Sequence, residues 1–156
     1  MRIGFDVDGV LADFNNDYMA LCVAKSGYDQ FGPGYVPHTW NYPEALGYSK
    51  AEVTAVWDAV KASDDFWFNL DALPGLEALN DVATVLCSDA HDVYFVTARP
   101  GHAAKRQTED WLISKSGFFN PTVLITSEKG LAAAALDLDV YIDDKFENCV
   151  DVVRQR

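Results

Sequence analysis

Asp6 and Asp8 end an apolar run and are followed at once by Gly9. Ile3, Phe5 and Val7 are apolar and predict an extended strand, whose side chains alternate in direction, so both carboxylates start on the same side. Two like charges this close repel unless a cation lies between them or one keeps its proton. A hard divalent cation such as Mg²⁺, which takes oxygen ligands, answers that need. Taken alone, the stretch is equally well described as a strand followed by an Asp-Gly turn.

Three other segments end in the same kind of chemistry. Val93–Thr97 is a strongly apolar strand, followed by Ala98 and Arg99. Val123-Leu124-Ile125 is followed by Ser127 and Lys129, and Val140-Tyr141-Ile142 by Asp143 and Asp144. Near-continuous apolar strands suit a parallel sheet covered on both faces. In such a sheet ligands bind beyond the carboxyl ends of the strands. Each residue has an ordinary reading of its own: Thr97 as a turn, Lys129 as a solvated lysine, Asp143-Asp144 as a turn. Acids, a hydroxyl and a cation at the same end of four consecutive strands are much harder to explain by chance.

The elements that position them follow from capping and periodicity. Asp13 can cap a helix running to Ser26, with Gly27 as its end. Residues 28–48, rich in Gly, Pro and aromatics, predict a long irregular loop, and long loops in compact domains tend to be functional. Ser49 and Glu52 fit a capping box, and Val53, Val56, Trp57 and Val60 then share a helix face. Pro74 suits the first turn of a helix carried by Leu76, Leu79, Val82 and Leu86. Further helices are expected over 102–116, over 128–136 with Ser127 as cap, and from Glu147 onward. The alternation of strand and helix after residue 74 predicts a doubly wound α/β fold. Residues 14–73 hold helices and no clear strand, so they read as an insertion after the first strand.

The bulk properties narrow the partners. A chain of 156 residues is enough for one domain with a real core. A net charge of −12 disfavours a nucleic acid polymer or an anionic membrane surface, while a small phosphate ester remains possible where a metal and a few cations are focused in one cleft. The three cysteines, Cys22, Cys87 and Cys149, form no C-x-x-C pair and suggest buried thiols in a reducing compartment. The strand begins at the start of the chain, leaving no room for a signal peptide, and no apolar run approaches the roughly 20 residues that span a bilayer. A cytoplasmic location is expected, as a monomer or a homodimer.

DVDGV at 6–10, VTAR at 96–99, Lys129 and YIDDKFEN at 141–148 resemble the four ordered motifs of the haloacid dehalogenase superfamily. The short helical insertion, Phe66-Trp67 before Leu73-Pro74-Gly75, and the TARPG…EDWL and IDDKFEN wording are most similar to its 5′(3′)-deoxyribonucleotidases. The resemblance implies a Rossmann-like core, residues 1–13 and 74–156, with a parallel sheet flanked by helices, and a helical cap over 14–73. It also implies roles. Asp6 would be the nucleophile and Asp8 the general acid and then base. Thr97 and Lys129 would bind the phosphoryl group. Mg²⁺ would be held by Asp6, the backbone carbonyl of Asp8, and Asp143, with Asp144 holding the metal's water shell or Lys129. The family's dehalogenases lack the second acid, so Asp8 favours phosphatase chemistry. Phe66, Trp67 and Trp40 are candidates to stack a nucleobase, since aromatic faces do so without strong sequence preference. Ala98 and Arg99 are further candidates at the substrate, Arg99 either on phosphate or ribose or paired with an acid. Lys145 is read as solvated. The family's chains usually continue past the fourth motif with a helix and a short strand. This sequence stops at Arg156, so that edge strand is expected to be absent or the fold shortened.

The expected activity is Mg²⁺-dependent hydrolysis of a small phosphate monoester, a deoxynucleotide first of all, through an aspartyl-phosphate. The alternatives are a phosphatase of another metabolite, such as a sugar phosphate, and a non-catalytic phosphate-binding protein of the same fold.

Overall fold

The structure, a computed structural model, describes residues 1–75 and 91–155, and every absence stated here concerns those residues. Its sheet has four parallel strands: β1 (Arg2–Phe5), β2 (Asp92–Thr97), β3 (Thr122–Ile125) and β4 (Val140–Ile142), in the order β3-β2-β1-β4. The expected α/β class is therefore borne out. Register puts Ile3 and Phe5 beside Val93 and Phe95, and Phe95 beside Val123, all on one face. Gly4, Tyr94 and Tyr141 share the other face.

Helices cover both faces. On the first, Ile3, Phe5, Phe95 and Val123 join a large apolar core with α1 (Phe14–Ser26), α3 (Lys50–Ala62) and α5 (Ala104–Ser116). Two single turns, α2 (Tyr42–Ala45) and α4 (Phe66–Asn69), complete this layer. On the second face, α6 (Lys129–Ala135) and α7 (Phe146–Gln155) supply Ala133 and Val152 to a smaller core with Leu138, Tyr94 and Tyr141. Gly4 is needed there: a Cβ at this position would lie 2.4 Å from Leu138 Cδ1 and 2.8 Å from Tyr141 Cδ2.

Most element ends follow the expected chemistry. The Asp13 side chain accepts from Asn16 N, and Gly27 closes α1 in the left-handed conformation at φ 79°. The Ser49–Glu52 capping box forms in full. The buried stripe of α1 is Phe14, Tyr18 and Cys22, spaced four apart on one face. One cap differs. Ser127 does not cap α6, which starts after Glu128 with no side-chain cap; Thr126 Oγ1 accepts from Glu128 N at 3.0 Å in the turn before it. The helix expected from Pro74 through Leu86, and Cys87, lie outside the described residues.

Residues 14–70 leave and return at one neck. Asp13 N donates to Asp71 O and Leu73 N to Leu11 O, both at 2.8 Å, and Ala12 pairs antiparallel with Ala72. The helices outside this neck are not free of the sheet layer. Gln107 of α5 accepts from Trp67 N at 2.8 Å and donates to Ser63 O at 2.9 Å, clamping α4 and the end of α3. Among the described residues, no helix is long and apolar enough to cross a membrane.

Candidate active site

β1 sits between β2 and β4, so the residues following it have neighbours on both sides. Asp6 N still donates to Ile142 O at 2.8 Å, one step beyond the strand. The chain then folds back, with Leu11 N and Ala12 N both donating to Val7 O at 2.8 Å. Gly9 makes this turn possible at φ 76°, a conformation that costs other residues more. A Cβ on Gly9 would lie 2.2 Å from Asp144 Oδ2, so the bare backbone is also what lets Asp144 close over the loop.

Asp6, Asp8, Thr97, Lys129, Asp143 and Asp144 all come to this one edge of the sheet. Asp6 is buried; its Oδ1 accepts from Val7 N at 2.7 Å and lies 3.0 Å from Lys129 Nζ. Lys129 is itself buried, donates to Val96 O, and stands 3.8 Å from Asp143 Oδ2 and 5.9 Å from the centre of the Tyr141 ring. α6 begins at Lys129, so helix and strand end together aim the ammonium. Thr97 is sealed from solvent, and its Oγ1 has no hydrogen-bond partner among the described residues. A buried hydroxyl without a partner is costly, and it marks a place where a polar group belongs.

The two adjacent acids differ. Asp143 Oδ1 accepts from Lys145 N at 2.8 Å and Asn148 Nδ2 at 3.0 Å, and Oδ2 accepts from Tyr141 OH at 2.9 Å. Its oxygens are held by donors of the protein. Asp144 lies over Gly9, and its carboxyl has a backbone hydrogen bond rather than this set of side-chain donors. Even so, one oxygen each of Asp6, Asp143 and Asp144 lie within 4.8 Å of one another. Burial pushes Asp6 up to about 7, against the pull of Lys129 and with the help of Asp143 and Asp8. Asp144 is exposed, yet partial desolvation and then Asp143 push it up to about 6. Clustered acids that resist ionisation, with oxygens this close, fit a divalent cation, whose charge would remove the conflict.

Asp8 is held from another side. Arg99 Nη2 lies 2.8 Å from Asp8 Oδ1, and Nε lies 3.2 and 3.1 Å from Oδ1 and Oδ2. The Arg99 side chain has no solvent exposure. Of the two fates expected for Arg99, the pairing with an acid is the one observed.

A cavity of about 250 Å³ opens over these groups. Asp6, Asp8, Thr97, Ala98, Arg99 and Lys129 line it, as the sequence leads one to expect. Its apolar wall is Phe14, Trp40, Trp57 and Trp67. Phe66 does not line it; the ring packs edge-on to Phe14 and Trp67, with centroids 6.4 and 5.0 Å away. Trp67 does line it, but its ring stacks on Phe14 at 5.8 Å and carries the Arg99 guanidinium at 4.9 Å. Trp40, 43% exposed, keeps an open face. Lys145 is not simply solvated: it lines the cavity, 6.0 Å from the Trp40 ring. Phe14 and Trp57 escaped sequence reasoning because both sit on helices at positions that burial explains. Asn148 and Lys145 were legible only as companions of the acid pair.

No known family model matches the chain, and no curated protein does so. Among solved structures, the chain is similar to the crystal structure of a predicted phosphatase from Clostridium acetobutylicum. The two share 15% identity over 99% of this chain and 80% of that one, with a TM-score of 0.56. Likeness at this identity speaks for the fold alone. The shared fold is a parallel sheet flanked by helices, and here it brings an aspartate cluster able to coordinate a divalent metal to the carboxyl ends of the strands.

Proposed function

We propose that this chain is a Mg²⁺-dependent phosphomonoesterase that works through an aspartyl-phosphate on Asp6, with deoxyribonucleoside monophosphates as its substrates. The observation that carries the reading is the buried Asp6–Lys129 pair, 3.0 Å apart, lining the same cavity as the unpartnered hydroxyl of Thr97. A nucleophilic oxygen, a fixed positive charge and a spare hydrogen-bonding group are what a phosphoryl group in flight requires.

In this reading Thr97 and Lys129 hold the phosphoryl oxygens while an Asp6 oxygen attacks phosphorus. The ester P–O bond breaks, and Asp8 gives a proton to the departing alkoxide. Asp8 then takes a proton from water, whose oxygen attacks phosphorus and releases phosphate and free Asp6. Asp6, the Asp8 carbonyl and the acid pair would hold the cation, which would supply the charge that lets a carboxylate approach a phosphate dianion. Asp143, oriented by Asn148, Tyr141 and the Lys145 backbone, would be the direct ligand, with Asp144 beside it holding the metal's water shell.

Residues 14–73 serve as a cap that excludes water and selects the leaving group. Trp40 and Trp57, with Phe14 behind them, are the faces for a base; the open Trp40 ring beside Lys145 supports this over Phe66. A cytoplasmic nucleotide pool suits such a substrate.

The test is phosphate release from deoxynucleoside, ribonucleoside and sugar monophosphates, with Mg²⁺ and with EDTA, beside Asp6→Asn. Metal-dependent release centred on deoxynucleotides and lost in the variant is the expected result. Release spread over sugar phosphates keeps the mechanism and ends the nucleotidase reading. No release from any ester makes the chain a phosphate-binding protein of this fold.

A further inference from the structure

Arg99 is the most completely enclosed cation near the site, and nothing in the phosphatase chemistry above uses it. Its side chain has no exposed surface, so it cannot reach into the cavity to grip a substrate without leaving its present bonds. Those bonds are specific. The edge of the guanidinium carrying Nε and Nη2 spans the Asp8 carboxylate, with contacts of 2.8, 3.1 and 3.2 Å. Nη1 donates to Thr108 Oγ1 at 3.1 Å, and that hydroxyl donates in turn to Ala104 O at 2.7 Å. The planar group lies 4.9 Å from the Trp67 ring centre and 6.0 Å from that of Trp111.

Each of these supports is anchored in its own right. Trp67 Nε1 donates to Pro100 O at 3.1 Å, and its backbone N–H is held by Gln107. Trp111 Nε1 donates to Leu70 O at 2.8 Å. Gln107, Thr108 and Trp111 are all buried and stand within one turn of α5. One helical turn thus holds both the guanidinium and the segment carrying Trp67. A buried Arg–carboxylate contact of this two-point kind fixes the plane of the carboxylate as well as its place.

We propose that Arg99, braced by Trp67 and Thr108, is the positioning residue of Asp8. Arg99 holds one edge of the Asp8 carboxylate so that its remaining lone pairs face the cavity, where the leaving oxygen and then the hydrolytic water must meet them. The inserted segment therefore takes part in catalysis through Trp67, Arg99 and Asp8, in addition to any role in choosing substrates. This rests on the phosphatase reading above, in which Asp8 moves the proton.

The two half-reactions separate the alternatives. A phenolate such as that of p-nitrophenyl phosphate leaves without proton donation, whereas a nucleoside alkoxide needs it. Both esters then need Asp8 to activate water. Rapid mixing of Arg99→Met with p-nitrophenyl phosphate and Mg²⁺ should give a burst of about one phenolate per site, then turnover slowed by about 10²-fold. A deoxynucleotide should show no burst and a still larger loss, about 10³-fold. Arg99→Lys, with its charge but no two-point contact, should fall between. Trp67→Phe keeps a stacking ring but loses the bond to Pro100 O, and should show the same split in weaker form; it decides the matter if Arg99→Met does not fold. Equal loss on both esters without a burst, or no loss on either, overturns the positioning role while leaving the phosphatase reading intact. A wild-type protein that turns over neither ester overturns both.

Discussion

Lys129 Nζ lies 3.0 Å from Asp6 Oδ1, and the two side chains are only 2% and 11% exposed. A pair this deep contributes little net stability, but breaking it leaves a bare buried charge. Lys129→Met should therefore cost about 3–5 kcal/mol in chemical denaturation, and should lower phosphate release by at least about 10²-fold. Asp6→Asn removes one of several crowded acids and leaves Lys129 its contact with Asp143, so it should cost less stability than Lys129→Met while turnover disappears.

Metal binding should depend on pH in a stated direction. Burial raises Asp6 from 3.8 to about 7, and partial desolvation raises Asp144 to about 6. A carboxylate with a raised folded value favours the fold while protonated, so this contribution is present at low pH and lost as pH climbs through about 6 to 7. Mg²⁺ needs the ionised forms and competes with those protons. Thermal shifts with and without Mg²⁺ should thus grow from pH 5 to pH 8, reaching about 2.7 kcal/mol at a hundredfold excess over the dissociation constant. A shift that shrinks with rising pH would remove these acids from the metal site.

Gly9→Ala tests the contact between the β1 loop and Asp144. The new Cβ would meet Asp144 Oδ2 at 2.2 Å, at a backbone φ of 76°. Asp144 must swing away, and Mg²⁺ affinity by calorimetry should fall by about 10- to 100-fold. A control at Gly27, also left-handed but with open space around it, should lose stability and keep its metal affinity.

The cavity wall assigns substrate discrimination to one aromatic over another. Trp40→Ala should raise the KM for deoxynucleotides by about 5- to 150-fold, the range of one stacked base, and leave a sugar phosphate unchanged. Phe66→Ala, behind the wall, should alter stability more than selectivity. The reverse ranking would return the base slot to Phe66.

Local chemistry was legible and long-range pairing was not. The capping box at Ser49–Glu52 and the Asp13 cap could be read because donor and acceptor are a few residues apart. The acids at the strand ends could be read because apolar runs stop at them and a parallel sheet collects its strand ends on one edge. Arg99 and Asp8 are 91 residues apart, and no local pattern says that a rim arginine turns inward. The inner face of α5 hid its role for a similar reason: Gln107 and Thr108 are buried polar residues that hold other segments, so periodicity points only to Trp111 and Leu112. Phe66 and Trp67 were adjacent candidates, and only tertiary packing could tell that one backs the wall and the other carries Arg99.

The strand order carries a consequence for biosynthesis. β1 is made before both of its neighbours, β2 and β4, and Ile3 pairs with Val140. While the chain is still emerging from the ribosome, the segment bearing Asp6 has no partner on either side. It must wait for residues 92–95 and 140–142, and such distant pairings are slow to form. Lys129 and the acid pair arrive with that same late stretch. The nascent protein therefore carries an unpaired apolar strand tipped with uncompensated acids, and their mutual repulsion helps keep that strand from associating with others until its own partners exist.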